Sequence, residues 1–253
     1  MNGAVSLRTA AFVVAVIMLS GFLAGCGVES VAFIAGPESD RVEVDAEVGQ
    51  IRFLHNEDDN DTDEFRGYEL YYKFYADTDS DCGDTEPCGE DRAYVEEEPL
   101  QTGPSRLLGR DFSRMIYEPS PGERPNVPIS QEETGSEFEI AIDLSSFGQE
   151  TQRDAIVSWN ESERPLKRGV TAETSQTDYK SFIERADYDD EDADVQSAID
   201  GPTPEETVEA LINNGNLYLS VYTLGYGIDP GSLQALYSEP VYLGYVRIDP
   251  RSF

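Results

Sequence analysis

The chain has 253 residues with 51 acidic and 18 basic side chains, which gives a formal net charge of −33. A surface this acidic repels the phosphates of nucleic acids and the anionic headgroups of bilayers. Nucleic-acid binding and membrane attachment through basic side chains are therefore excluded as functions.

The first 26 residues carry a basic start, an apolar run and a small-residue end. Arg8 is the basic residue, Ala10–Leu19 is unbroken apolar sequence, and small residues lead to Cys26. This order is typical of a secretory signal. The alternative is a permanent N-terminal membrane anchor. The run disfavours it by its length, because a spanning helix needs about 20 apolar residues.

The four residues Leu23–Cys26 resemble the lipobox of bacterial lipoproteins. The resemblance implies that residues 1–25 are a signal peptide, that the Cys26 sulfur receives a diacylglyceryl group, and that residues 26–30 form a lipidated tether. Two or three acyl chains hold a protein stably at a membrane, whereas one chain is marginal. The expected location is the bacterial cell envelope, on its periplasmic or its surface face, with the membrane as a partner through the lipid.

The mature chain would keep two cysteines, Cys82 and Cys88. Export places them in an oxidising compartment, which favours a disulfide between them. A loop this short would be worth roughly 2–3 kcal/mol in the chain-entropy estimate. Two unpaired thiols are the alternative. A zinc site lacks ligands, because His55 is the one histidine of the chain.

Residues 31–253 predict one mostly β domain. Val31–Ala35 is a candidate first strand, residues 41–54 alternate, and residues 65–75 give the strongest strand signal. The two faces of that last strand differ in expected burial. Core positions are Tyr68, Leu70, Tyr72 and Phe74, and half-exposed positions are Glu69, Tyr71, Lys73 and Tyr75.

The strand pattern dissolves over about 76–135, where Pro, Gly, Ser and acidic residues are frequent. This composition predicts a long irregular insertion. Six of its apolar residues should nevertheless dock on the body of the domain: Leu107, Leu108, Phe112, Met115, Ile116 and Tyr117.

Regular structure resumes after the insertion. Residues 136–146 alternate cleanly, and the sequence around Trp159 predicts another strand. A helix is predicted over about 204–213, with a capping box at its start and a glycine after its end. Residues 216–227 and 238–249 then predict two strands joined by a long hairpin loop.

The segments 51–76 and 216–248 resemble strands B and C and strands F and G of fibronectin type III domains. The resemblance implies an immunoglobulin-like β-sandwich with a long insertion and one or two short helices, and a role in adhesion or ligand display. The tryptophan usual in strand B of that family is absent, and Phe53 lies near its position. The segment between the strands that resemble C and F is far longer than in that family and includes the predicted helix. A jelly roll or another sandwich is the alternative.

Calcium is the cofactor that the acidic loops suggest. Asp59, Asp61 and Asp63 are spaced as alternating oxygen ligands, and residues 77–81 repeat the spacing. Neither run fits an EF-hand, because the glycine and glutamate of that motif are missing. In a chain this acidic such runs also arise by chance, so the alternative is that no cofactor is bound.

Catalysis has weaker support in the sequence. No G-x-S-x-G motif accompanies His55, which is predicted to be a solvated histidine at the head of an acidic loop. A hydrolase that uses a pair of carboxylates stays open as an alternative.

Aromatic residues suggest a recognition surface. Tyr71, Tyr75, Tyr218 and Tyr222 would form an exposed face for a protein or a glycan, since tyrosines bury much area at low entropic cost. The alternative is that they cover a sheet face beneath the insertion and the predicted helix.

Taken together, the sequence predicts a membrane-anchored acidic envelope lipoprotein that acts as a structural or binding module rather than as an enzyme. A calcium-dependent binding module and a carboxylate-based envelope hydrolase are the alternatives. The partners are the membrane, through the lipid, and an unidentified protein or glycan.

The charge balance gives a first testable prediction. Acid excess with three lysines among 18 basic residues resembles the surfaces of proteins from salty habitats. The Debye length falls from about 10 Å to about 3 Å between 0.1 M and 1 M salt, which screens self-repulsion. We expect the melting temperature in scanning calorimetry to rise over this range of NaCl. A constant or falling melting temperature would contradict the prediction.

Overall fold

The structure is a computed structural model that describes residues 33–45, 48–77, 87–97, 102–144, 154–171, 177–180 and 216–248. The predicted helix at 204–213, Cys26 and Cys82 lie outside these ranges. The described fold is mostly β. Its strands are β1 (Val42–Asp45), β2 (Gln50–Leu54), β3 (Phe65–Asp77), β4 (Ser113–Arg114), β5 (Val127–Pro128), β6 (Glu139–Asp143), β7 (Ala155–Trp159), β8 (Ser162–Leu166), β9 (Arg168–Thr171), β10 (Thr177–Lys180), β11 (Asn216–Ile228), β12 (Ala235–Tyr237) and β13 (Val241–Ile248).

A 3₁₀-helix at Ser39–Arg41 and three short α-helices complete the described elements: α1 (Glu57–Asn60), α2 (Pro87–Val95) and α3 (Ser105–Leu108). The predicted first strand is wrong where it can be checked, because residues 33–35 are irregular. The first strand begins at Val42, and it leaves Val44 exposed at the edge of its sheet.

Two antiparallel sheets form the body. The first has the order β1-β2-β6-β7-β8. The second is built on the ladder between β3 and β11. On the other edge of β11 it adds β12 and β13, and on the other edge of β3 it adds β4 and β5. Strands β9 and β10 pair with each other as a separate hairpin.

One apolar core lies between the two sheets. From the first sheet it takes side chains such as Phe53, Ile142 and Trp159, and from the second it takes Tyr72 and Val221. Two facing antiparallel sheets with a shared core are consistent with a β-sandwich. The alternation predicted for residues 136–146 and the strand around Trp159 are confirmed.

The second sheet is also covered on its outer face. Glu69, Tyr71 and Tyr75, expected to be half-exposed, are 0%, 1% and 6% exposed. Their prediction was wrong because the residues of the insertion pack on this face and make a second core. That core contains Tyr71, Tyr75, Cys88, Val95, Leu107, Phe112, Tyr218, Tyr222 and Leu224.

The part of the insertion that contains α2 and α3 is therefore a third layer over the sheet, whereas its strands β4 and β5 extend the sheet itself. As predicted, Leu107, Phe112 and Met115 are buried. Ile116 and Tyr117 are half-buried. Leu108 is the exception, since its position on the outer side of α3 leaves it 54% exposed.

These neighbouring leucines offer a matched test of the third layer. Leu107→Ala removes a fully buried side chain, and we expect it to lower the free energy of unfolding by about 2–5 kcal/mol. Leu108→Ala is the control and should change it by less than about 0.5 kcal/mol. Urea denaturation of both variants measures the difference. Equal effects would mean that the insertion does not pack on the sheet.

Candidate functional site

The chain joins the domain at one end of the facing sheets, which we call the proximal end. Ile34 is buried there and packs against Gly225 and Gly227 of β11. A Cβ at Gly225 would lie 2.3 Å from the carbonyl oxygen of Ala35. Glycine is required at that position because the incoming backbone runs directly over the strand.

Asn60, at the end of α1, clamps the incoming chain. Its Nδ2 donates to the carbonyl of Ala35 over 3.1 Å, and its Oδ1 accepts from the N–H of the same residue over 3.0 Å. Asn56 adds a bond from Nδ2 to the carbonyl of Gly36 at 3.4 Å. Because Asn60 is fully buried, both of its bonds are shielded from water. The residues that follow the candidate tether are thus fixed to the body.

His55 lies beneath this clamp. It was expected to be solvated, but it is 0% exposed. Its Nδ1 lies 2.8 Å from the hydroxyl of Tyr68 and its Nε2 lies 2.8 Å from the carbonyl oxygen of Thr134. The ring also stacks on Phe138, with centroids 4.8 Å apart. The prediction failed because Tyr68 and Thr134 are distant in sequence.

The bonding pattern fixes the neutral tautomer of His55. A carbonyl can only accept, so Nε2 carries the hydrogen that it donates to Thr134, and Nδ1 accepts from the Tyr68 hydroxyl. That hydroxyl in turn accepts from the backbone N–H of Asn56 at 3.2 Å. A second proton on the ring would break this chain of bonds. Burial also lowers the pKa of His55, although the Thr134 carbonyl and the charges of Glu57 and Glu133 oppose the shift.

The three aspartates proposed for calcium lie in the loop that contains α1. Asp59 accepts from Asn56 Nδ2 at 3.3 Å, and the Asp61 carboxylate lies beside Gly135 and the Thr134 hydroxyl. Asp63 is exposed. Within the described ranges, no three or more His, Cys, Asp or Glu side chains gather as a metal site. The structure therefore does not bring the three carboxylates together.

The four tyrosines proposed as an exposed surface are buried, at 6% exposure or less. They cover the outer sheet face beneath the insertion, which is the alternative that the sequence left open. Burial raises the pKa values of Tyr71 and Tyr75 far above the usual range, and Glu69 and Asp91 add to the respective shifts. Neutral phenols are therefore fixed in this layer.

Two buried carboxylates accept hydrogen bonds from these phenols. Tyr71 donates to Glu69 Oε2 and Tyr75 donates to Asp91 Oδ2, each over 2.8 Å. A cation faces each carboxylate. Lys73 Nζ lies 2.7 Å from Asp91, and Arg124 Nε lies 3.2 Å from Glu69 in an ion pair that is not aligned as a hydrogen bond. Paired in this way, both carboxylates join the insertion to the sheet rather than offering a free acid and base.

Two large apolar side chains are exposed at the proximal end. Phe33 is 66% exposed and directly precedes buried Ile34. Leu233 is 78% exposed at the tip of the hairpin between β11 and β12. Its φ of 58° lies in the left-handed region, where a leucine is uncommon. The sequence alone gave no signal for this pair, because exposure depends on the fold.

Within the described ranges, no helix is long and apolar enough to cross a membrane. No protein-family model matches the chain, and no curated protein or solved structure matches it either.

The buried histidine gives a pH-dependent prediction. In the unfolded chain His55 takes up a proton near pH 6.5, whereas in the folded chain its pKa is lower and it stays neutral. Stability is therefore lost as the pH falls below about 6.5, by at most about 1.4 kcal/mol per pH unit. His55→Gln should be less stable at pH 8 but should lack this loss.

Urea denaturation of both proteins between pH 8 and pH 5 provides the measurement. The stability advantage of the natural chain over His55→Gln should shrink as the pH falls. Titration of the many carboxylates affects both proteins alike and cancels in the difference. An advantage that is constant across this range would show that protonation of His55 is not coupled to folding.

Proposed function

We propose that the protein is a lipid-anchored acidic protein of the bacterial cell envelope that acts as a binding or structural module. The observation that carries the proposal is the sequence Leu23–Cys26 behind the apolar run Ala10–Leu19. The position of the clamp supports it. Asn60 hydrogen-bonds both the N–H and the carbonyl of Ala35, which follows Cys26 by nine positions. A pull on the lipid would thus be met by buried bonds close to the tether.

The proposed domain type is an immunoglobulin-like sandwich related to fibronectin type III. The strand order supports it, since β1-β2-β6 corresponds to A-B-E of that architecture and β4-β3-β11-β13 corresponds to C′-C-F-G. The departures are β7 to β10, which follow the E position, and the helical layer over the outer face. Fold alone does not supply function, so the site must carry the remaining argument.

A binding role follows from the way in which the domain would be displayed. The chain leaves β3 at Asp77 and begins β11 at Asn216, and these two residues pair with each other. They lie at the end of the ladder remote from Gly227, where the incoming chain packs. The length of β3 puts about 40 Å between the two ends. The end of the ladder at Asp77 and Asn216 would therefore face away from the membrane, toward a protein or a glycan.

Lipidation at Cys26 is the experimental test. We expect Cys26→Ser to abolish labelling by a clickable fatty acid and to release the protein from the membrane fraction of the expressing bacterium. Cys82→Ser is the matched control, because it removes a thiol but leaves the lipobox intact. Continued labelling of the Cys26→Ser variant would refute lipid anchoring.

A further inference from the structure

From the exposed pair at the proximal end, we infer that Phe33 and Leu233 form a contact surface for the lipid bilayer. This surface would rest the proximal end of the domain on the membrane beside the lipid anchor. The inference rests on the proposed anchoring at Cys26. It adds an orientation, in which one defined end of the domain touches the bilayer.

Chain length places the pair within reach of the membrane. Phe33 follows Cys26 by seven positions, and a fully extended segment of that length spans at most about 25 Å. Because Ile34 is packed into the body, Phe33 cannot swing away from the domain. An anchor on Cys26 therefore keeps the proximal end within about 25 Å of the bilayer whichever way the tether runs.

The two side chains are exposed at the same end of the domain. Ala35 lies against Gly225 and the Ile34 side chain reaches Gly227, so the chain, followed backward to Phe33, runs along β11 toward the hairpin. β11 ends at Ile228, and Leu233 projects from the turn that follows. Phe33 and Leu233 thus lie at the end to which the anchor is attached.

The hairpin tip is built to hold Leu233 outward. Asp229 Oδ1 accepts from the N–H of Gly231 at 2.7 Å, and Asp229 Oδ2 accepts from the Ser232 hydroxyl at 2.7 Å. The N–H of Leu233 donates to the Asp229 carbonyl at 2.7 Å. These bonds keep a leucine in a left-handed conformation with 78% of its surface exposed. Backbone strain of this kind concentrates at functional positions.

A bilayer suits this surface better than a second copy of the chain. Two molecules that each carry a net charge of −33 repel one another, and although anionic headgroups also repel this surface, the tether holds the domain at the bilayer. Burying one leucine or phenylalanine side chain in the bilayer shifts the equilibrium between the free and the bilayer-bound orientation of the domain by roughly 10- to 100-fold. The tether has already brought the partners together, so a contact of this size suffices to populate the oriented state.

Tryptophan quenching by brominated lipid tests the contact. The full chain is expressed in a bacterium that lipidates exported proteins and is reconstituted in phosphatidylcholine vesicles that contain brominated phosphatidylcholine. Phe33→Trp and Leu233→Trp place the probe at the proposed surface. Val48→Trp is the matched control, because Val48 is 47% exposed and precedes β2, whereas His55 of the proximal end follows that strand. Trp159, 5% exposed, gives the same background in every variant.

We expect the emission at positions 33 and 233 to be quenched and shifted to the blue, and the emission at position 48 to match that in vesicles without bromine. Equal quenching at all three positions, or none at 33 and 233 in protein that floats with the vesicles, overturns the inference while anchoring stands. Protein that does not float overturns the anchoring and, with it, the contact. Identical melting temperatures of the three variants in detergent verify that they are folded.

Discussion

The pairing of β3 with β11 is the constraint on which the rest of the structure depends. Both strands have 13 residues, and they pair in one register from Asp77 with Asn216 to Gly67 with Tyr226, after which an irregularity places Phe65 opposite Gly227. Side chains on both faces of this ladder are buried. A sheet that is apolar on both faces must be covered on both. The first sheet covers one face, and the insertion has to cover the other, which explains why it folds as a layer instead of a free loop.

Covering a tyrosine-rich face takes polar groups out of water, and the insertion supplies partners for some of them, although the Tyr222 hydroxyl stays buried without a hydrogen bond. Phenol hydroxyls taken out of water need partners, and Tyr71 and Tyr75 find them in Glu69 and Asp91. The buried carboxylates then need cations, which Arg124 and Lys73 provide. Buried ion pairs are weak evidence of added stability, because desolvation offsets their attraction. Their consequence is positional, since an insertion that shifted along the sheet would leave charges unpaired.

The sequence allowed the inner faces of the sheets to be predicted, because alternation at positions such as Ile140, Ile142 and Leu144 depends on the local period of a strand. The burial of side chains on the outer face of the second sheet could not be predicted from local alternation. Glu69 and Tyr75 look solvated until Arg124 and Asp91, from other parts of the chain, are brought to them. The same holds for the candidate site: His55 bonds to the carbonyl of Thr134 across 79 positions. Burial of polar residues is decided by tertiary partners, which a local pattern does not contain.

The described part of the domain has two buried polar regions, one at the proximal end and one between the insertion and the sheet. They are built from different chemical groups, so one is sensitive to acid and the other to salt. The proximal end uses neutral groups, with the amide of Asn60 and the imidazole of His55 as its centre. Neutral hydrogen bonds are little affected by ionic strength, but a neutral histidine is affected by acid. The layer between insertion and sheet uses ion pairs, and Arg124 keeps 40% of its side chain in solvent, where salt can screen it. The proximal end is thus expected to be sensitive to acid, and the docking of the insertion to be sensitive in part to salt. Under the proposed export both variables would belong to the surroundings, so the end at which Ala35 is held and the face that carries the insertion would respond to them independently.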